Sequence, residues 1–424
     1  MKDILLVGDD GSSSASSGTG ACIARTARFR HALETAGFRV SVLSPSEGTR
    51  GAAEIKHFLV DRSFSCIVTI SPFHAEAVAI ANPDLPIWID MNGTHPAETL
   101  LLGNDDGLSG ERLVRILALE NTLLMRGDAF STPSRRQAFA VRGELLLLGR
   151  MGKRSSEFIP VSPIPHCSMG VFEVNDKSST GFRIISTGSF NLWFDEITLF
   201  NALESAMERD KSIEFISTGG RVPVSLAKYD NFRKMIEKSR FSERFTLHGW
   251  IPYDELMEVY RTASAAVYTD LPSMETTLGA RTRTLDWIKR GIPVVCTDGA
   301  EISENIRSHG LGIVVPQQDH AALAKAFLQL ISSPDLSENI IENQEKWCSA
   351  EGSSENLFQP LVSWCRNPSR TKTNPIGTST IPRLNSIAYL RKIFHEISTD
   401  KGIGYAAYRV FLRIFPFFKH SGEK

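Results

Sequence analysis

Residues 269–299 read TDLPSMETTLGARTRTLDWIKRGIPVVCTDG. A short apolar run at 265–268 precedes them, so the stretch opens where a strand ends. Its loop carries a carboxylate, Glu275. After Gly279, Arg281 and Arg283 fall near the start of a segment with helical periodicity, expected at 282–289. Basic residues and Gly291 close that helix, and the β-branched run 293–297 forms the next strand. Strand, helix and strand in so short a span make a βαβ unit, which requires a parallel sheet.

The same alternation extends outward in both directions. On the C-terminal side, strands are expected at 182–186, 213–217, 245–248 and 311–315, with helices at 196–208, 253–262, 302–308 and 320–331. The N-terminal half repeats it, with strands at 4–7, 38–43, 66–70, 86–90, 129–131 and 157–161 and helices at 21–36, 109–126 and 134–148. Gly37 is a helix stop. Prolines and a polar cluster break the periodicity between the halves. The organisation that follows is α/β, with two Rossmann-like domains in series at 1–162 and 181–366, joined by a linker at 163–180. A Pro/Ser/Thr-rich linker at 367–383 and an amphipathic, basic and aromatic helical tail at 384–424 complete the chain.

The chain has 424 residues, of which 42% are hydrophobic and 22% charged, too many for one comfortable core. A formal net charge of -1 provides no basic field for nucleic acid, which is excluded as a partner. The six cysteines form no CxxC pair and no zinc-spaced cluster, so they read as core thiols in a reducing compartment. The N-terminal MKDILLVGDDG is a first strand, not a secretory leader. No segment reaches the ~20 apolar residues that cross a bilayer. A cytoplasmic protein, soluble or peripheral on a membrane, is expected.

Several loops could carry chemistry. The first, GDDGSSSASSGTGA at 8–21, includes Gly18, Thr19 and Gly20. It lacks the third glycine of a dinucleotide fingerprint, since position 23 is Ile, and no acidic residue follows the second strand. Backbone N–H groups of such a loop could still meet a phosphate or a sugar hydroxyl. IDMNGTHPAE at 89–98 places Asp90, Asn92, His95 and Glu98 beyond a strand end, where ligands of parallel sheets bind. Asp90 and His95 are candidates for acid/base work and Asn92 for hydroxyl recognition. Gly188 and Ser189 after one strand, and Gly219 and Arg221 after the next, allow close approach of a nucleotide. Trp193 reads as packing on the helix that begins at Asp195. Glu275 could accept from ribose hydroxyls, and Arg281 and Arg283 could bind a diphosphate at a helix N-terminus. No Asp-x-Asp pair, P-loop, HExxH or G-x-S-x-G occurs, so no metal site is expected and leaving-group charge falls to protein donors.

The stretch 269–299 resembles the donor region of glycosyltransferase family 4, in particular surface-polysaccharide members with an ET…RTR.LD…G.PVV pattern. It stands here as Glu275-Thr276, Arg281-Thr282-Arg283, Leu285-Asp286, Gly291 and Pro293-Val294-Val295. HGWIPYDEL at 248–256, which holds Gly249 and Trp250, HGLGIVVPQQD at 309–319 and GSFNLWFDEITL at 188–199 extend the match. The resemblance implies a GT-B fold with a cleft between its domains, a nucleotide-sugar donor on the C-terminal side, an acceptor on the N-terminal side and retention of configuration. It makes Gly188, Ser189, Gly219, Arg221, Gly249, Trp250, Glu275, Thr276 and Asp286 the donor residues, with Glu275 as the first glutamate of the family motif and Asp286 at the place of the second. The family's basic diphosphate grip is missing after Ser217, where only Arg221 is basic, and Arg281 and Arg283 are its substitutes. No cofactor is implied, because the nucleotide-sugar is a substrate.

The implied activity is glycosyl transfer to a glycan or lipid-linked acceptor. The alternatives are a catalytically silent GT-B subunit that binds sugar nucleotide or a partner, and a GT-B epimerase or phosphorylase. The tail at 384–424 has two readings. Its apolar stripes either pack on the body or, with Arg391, Lys392, Arg409, Arg413 and Lys419, lie on an anionic membrane surface. On the membrane reading, a chain ended after Asn367 keeps donor turnover and loses sedimentation with anionic vesicles. A full-length chain that ignores such vesicles, or a truncation that unfolds the rest, leaves the packing role.

Overall fold

The computed structural model of the chain describes residues 2–11, 21–102, 109–151, 159–165, 172–173, 181–222, 225–351 and 354–371. Gly18, Thr19 and Gly20, most of the expected linkers and the tail at 384–424 lie outside these residues. The chain divides into two compact units, one of residues 1–144 and 159–371, the other of 145–158 and 372–424. Among the described residues, no helix is long and apolar enough to cross a membrane.

The first unit holds two parallel six-stranded sheets. One contains β1 (Asp3–Val7), β2 (Arg39–Leu43), β3 (Cys66–Ile70), β4 (Ile87–Asp90), β5 (Ala129–Thr132) and β6 (Val161–Pro163), in the order β2-β1-β3-β4-β5-β6. The other contains β7 (Phe182–Thr187), β8 (Ile213–Thr218), β9 (Phe245–Gly249), β10 (Ala265–Tyr268), β11 (Val294–Thr297) and β12 (Gly312–Val315), in the order β12-β11-β10-β7-β8-β9. Ile4, Leu5, Leu6 and Val7 are all fully buried, as central strands covered on both faces must be. Each sheet reverses its winding once, between β1 and β3 and between β7 and β10. Loops diverge from such a point, so a crevice opens beyond the carboxyl ends of the strands there.

The helices around the first sheet are α1 (Ala21–Thr35), α2 (Gly48–Leu59), α3 (Pro72–Ala81), α4 (His95–Leu100), α5 (Ser109–Arg126) and α6 (Arg135–Leu147). Those around the second are α7 (Glu196–Arg209), α8 (Leu226–Glu237), α9 (Tyr253–Arg261), α10 (Met274–Leu278), α11 (Thr282–Lys289), α12 (Glu301–His309), α13 (His320–Ser332) and α14 (Pro334–Glu351). The second sheet has a core on each face, one built on Leu199, Phe215, Phe232, Phe245 and Phe327, the other on Trp287, Val294, Ile306 and Trp347. The last helix, α15 (Ser354–Arg366), crosses back to the first sheet. Phe358, Leu361 and Cys365 share its core with Ile4, Leu6, Phe29 and Trp88, and Trp364 meets Trp88 at 5.6 Å between ring centroids. The boundary expected at 366 therefore leaves on the C-terminal side a helix whose apolar face belongs to the N-terminal core.

Other expectations also shift. The sixth strand is Val161–Pro163, not 157–161, and it is an edge strand, where a proline's missing N–H breaks no ladder. Helices α2, α3, α4, α8, α10, α14 and α15 were not expected from periodicity. Pro72 and Pro334 occupy first turns, where a proline loses no hydrogen bond. The described cysteines Cys22, Cys66, Cys296, Cys348 and Cys365 are free thiols, and Cys167 lies outside the described residues.

The two sheets are joined where α6 begins. Ser134 Oγ donates to Leu278 O at 2.6 Å, and the Glu301 carboxylate accepts from the backbone N–H groups of Arg135 (3.1 Å) and Arg136 (2.7 Å). An anion at a helix N-terminus satisfies donors that the helix leaves unpaired. Arg136 spans the same contact, donating to Thr277 O at 3.1 Å and Gly299 O at 2.6 Å and pairing with Glu304 at 2.5 Å.

Candidate active site

The reversal point between β7 and β10 gathers the glycines marked in the sequence. Gly188, Gly219 and Gly249 end β7, β8 and β9 with φ of +96°, +86° and +68°, a region that favours glycine. Gly188 N donates to Thr218 O at 2.9 Å and Gly219 N to Gly249 O at 2.6 Å, so the three strand ends are tied together. A Cβ on Gly219 would lie 2.2 Å from Gly188 O, which leaves no room for any side chain. Arg283, in the first turn of α11, reaches across to this turn and donates to Thr187 O at 2.5 Å and Ser189 O at 3.4 Å. Burial lowers its pKa, Asp270 opposes that shift, and the guanidinium stays cationic. A cation packed against a side-chain-free turn is where an anionic group can approach both backbone and guanidinium.

Arg281 has a different place. Its Nε bonds Asp270 Oδ2 at 2.5 Å, and its two terminal nitrogens fork onto Glu275 at 3.1 and 2.8 Å. The Trp193 ring covers the guanidinium at 5.3 Å in a cation–π contact. Burial works against the charge of Arg281, but the two carboxylates outweigh it and hold the pKa above its ordinary value. Burial raises the Glu275 pKa against the pull of Arg281. The fork of Arg281, expected to meet a diphosphate, is occupied from within. The ribose role expected of Glu275 meets the same obstacle, since both its oxygens face Arg281. Thr276 is also engaged locally, donating its hydroxyl to Leu271 O at 2.7 Å while its N–H donates to the Ser273 cap at 3.0 Å.

Beyond β4 the first sheet supplies a facing wall. Asp90 is fully buried and accepts from Arg25 at 2.5 and 2.6 Å and from Ser131 Oγ at 2.5 Å. With both oxygens bound, it anchors α1 to the sheet and is not free for the expected acid/base work. Asn92 points its amide at Cys22 Sγ, 3.5 Å away. The His95 ring stands edge-on to Phe73 at 5.3 Å, its Nδ1 buried without a partner. Burial lowers its pKa to about 4, so the imidazole is neutral near pH 7. Gln137 of α6 donates to Met91 O at 2.9 Å and also to Gly93 O, which fixes this loop. Glu98 of α4 lies in the field of Arg281 and Glu275, so wall and crevice meet at α4 and α10.

The remaining expected residues lie apart from this centre. Arg221 is exposed, pairs with Asp230 at 2.8 Å and stands 6.0 Å from the Tyr229 ring. Trp250, beside Gly249, is 47% exposed. Asp286 is half-buried on α11, where its charge helps burial raise the Tyr260 pKa to about 12. Arg25, Asp270 and Gln137 had escaped notice, and the signal available was only that Asp270 directly follows a strand. A cavity of about 630 Å³ borders the α6–α12 contact, lined by Arg135, Phe139, Pro163, Thr282, Trp347 and Leu357 among others.

Comparison with known proteins bears on the fold. Residues 172–347 match the family model described as glycosyl transferases group 1. No curated protein sequence matches the chain. Among solved structures, sucrose-phosphate synthase from Thermosynechococcus elongatus superposes with a TM-score of 0.64 at 15% identity, over 86% of this chain and 98% of that one. HepE of Anabaena in complex with UDP-glucose gives 0.61 at 14%, over 86% and 99%. The α,α-trehalose-phosphate synthase of Burkholderia xenovorans, in complex with glucose-6-phosphate, gives 0.59 at 11%, over 87% and 100%. Such identities speak to fold alone, and the fold is GT-B.

Glu120, on α5, is buried near Glu144 and Glu98, and burial with those charges raises its pKa to about 8. The native state therefore keeps a proton that the unfolded chain loses near pH 4.5. Stability should fall as pH rises from about 4.5 to about 8 and level off above that. Glu120→Gln, a mimic of the protonated form, should come close to the wild type at about pH 4 and exceed it by more than ~1 kcal/mol at about pH 8.5. Calorimetric melting at both pH values checks this, and an equal difference at each would contradict it.

Proposed function

We propose that the chain is a retaining glycosyltransferase that moves a sugar, without a metal ion, from a nucleotide-sugar donor to a glycan or lipid-linked acceptor in cell-surface polysaccharide synthesis. It would work in the cytoplasm, peripherally at the inner face of the membrane. The observation that carries the reading is Arg283 packed on the Gly188–Ser189 turn, at the reversal point of the second sheet and within the stretch matched by the group 1 model. HepE, which shares the fold, is described in complex with UDP-glucose, and an activated sugar of that kind has a diphosphate to place at such a turn.

The chemistry follows from the charges. The bond from the anomeric carbon to the diphosphate oxygen breaks, and negative charge develops on the departing group. Arg283 stabilises that charge. The acceptor hydroxyl forms the new bond, and retention brings it in on the face the diphosphate leaves. The departing oxygen can then take the hydroxyl proton. Neutral His95 suits hydrogen bonding to a sugar hydroxyl better than general acid work. Arg281 acts through Glu275 and Asp270, as a positioning residue.

Release of nucleoside diphosphate from a panel of UDP-, GDP-, ADP- and dTDP-sugars, with and without EDTA, tests the proposal. Turnover should survive EDTA and drop by on the order of a hundredfold in Arg283→Ala. Arg283→Lys should not restore it, because an ammonium cannot bind in a fork. Full activity in Arg283→Ala or loss of turnover in EDTA would overturn the mechanism. Donor binding with no release from any sugar nucleotide would make the chain a silent subunit.

A further inference from the structure

The wall of the first sheet that faces Arg281 carries buried polar atoms that its own fold leaves unpaired. Gln137 is 1% exposed and Thr94 8%. Among the described residues, Gln137 Oε1, Thr94 Oγ1 and His95 Nδ1 have no hydrogen-bond partner. Buried groups of this kind are costly to leave alone, and they lie together because the Gln137 amide is bonded to the loop that carries Thr94 and His95. An amide oxygen, a hydroxyl and an imidazole nitrogen are a mixed set of acceptors and donors. Sugar hydroxyls, each of which donates and accepts, can satisfy such a set.

The cations around this wall, Arg25, Arg136 and Arg281, are each paired with carboxylates. Arg25 is neutralised by Asp90. Arg281 faces two carboxylates, Asp270 and Glu275, so that group carries a net negative charge. Glu98 stands beside it, and Asp9 acts on Cys22, which meets Asn92. No Lys or Arg occurs at 8–11 or at 90–98. Arg283, which forms no ion pair among the described residues, is at the other end, on the glycine turn. The cleft is thus polarised, cationic where a diphosphate would leave and anionic where the nucleophile would enter. A phosphate on the incoming molecule would be set against carboxylates in a partly buried site, where repulsion is weakly screened.

We propose that the wall formed by residues 92–98 and Gln137 seats an uncharged, hydroxyl-bearing sugar as acceptor and rejects a phosphorylated one. This rests on the glycosyltransferase reading for the word acceptor, but the binding preference can be measured without turnover. The full chain is titrated with a panel of neutral hexoses and their 6-phosphates, by saturation-transfer NMR or calorimetry, first alone and then with UDP. At least one neutral hexose should bind, and its 6-phosphate should bind at least tenfold more weakly, with the gap narrowing as salt is raised. Glu98→Lys should close or reverse the gap. If that variant does not fold, Asp9→Lys, at a more accessible position, should narrow it. Gln137→Leu should weaken the hexose and leave UDP affinity unchanged. Equal or tighter binding of the phosphates by the wild type, or no hexose binding at all, would overturn the inference. Failure of UDP to bind would count against a UDP-sugar donor, while the hexose titration of the free chain would still decide this one.

Discussion

A guanidinium held at 5% exposure between two carboxylates is the interaction on which the site depends. Burying the Arg281 charge is tolerable only because Asp270 and Glu275 both face it, and removing one partner of such a group typically costs about 3–5 kcal/mol. The group ties the end of β10 to α10 and to the first turn of α11, while Trp193 closes it from the loop after β7. Arg283 is two residues further along the same turn. Its reach to the Gly188 turn is set by where Arg281 is fixed, and the short α10 keeps the loop between them in place through the Ser273 cap.

The same group also organises the other half of the cleft. Its surplus negative charge sits across from Glu98 and neutral His95, and α6 is docked beside it by Glu301, Arg136 and Ser134. One set of contacts thus brings the glycine turn, the buried arginine and the wall of the first sheet together, with charge graded from Arg283 to Glu98. An activated sugar calls for such a gradient, because its leaving group is anionic and its nucleophile is a neutral hydroxyl.

Much of this was legible in the sequence. Apolar runs separated by helical segments specify parallel sheets, and glycines directly after strands specify where backbone is bare. Gly188, Gly219 and Gly249 follow that rule and do meet. Arg283 near a helix start was read the same way. Pairing across the fold was not legible. Asp90 looks like a free acid until Arg25, 65 residues away, is found against it, and Arg281 looks like a free cation until Asp270 and Glu275 enclose it. Thr276 is engaged by its own loop, and Arg221 by Asp230 on the next helix. Secondary structure was missed where a proline starts a helix, at Pro72 and Pro334, and where α15 returns to the first sheet, since neither leaves a mark in local periodicity.

The most direct measurement is a crystal structure of the full chain with a bound nucleoside diphosphate, UDP first. The diphosphate should lie beyond β7, within hydrogen-bond distance of the Arg283 guanidinium and the Gly188–Ser189 backbone, with Arg281 still forked onto Glu275. A diphosphate that leaves Arg283 untouched, whether in the cavity beside Arg135 or on Arg221, would contradict the account.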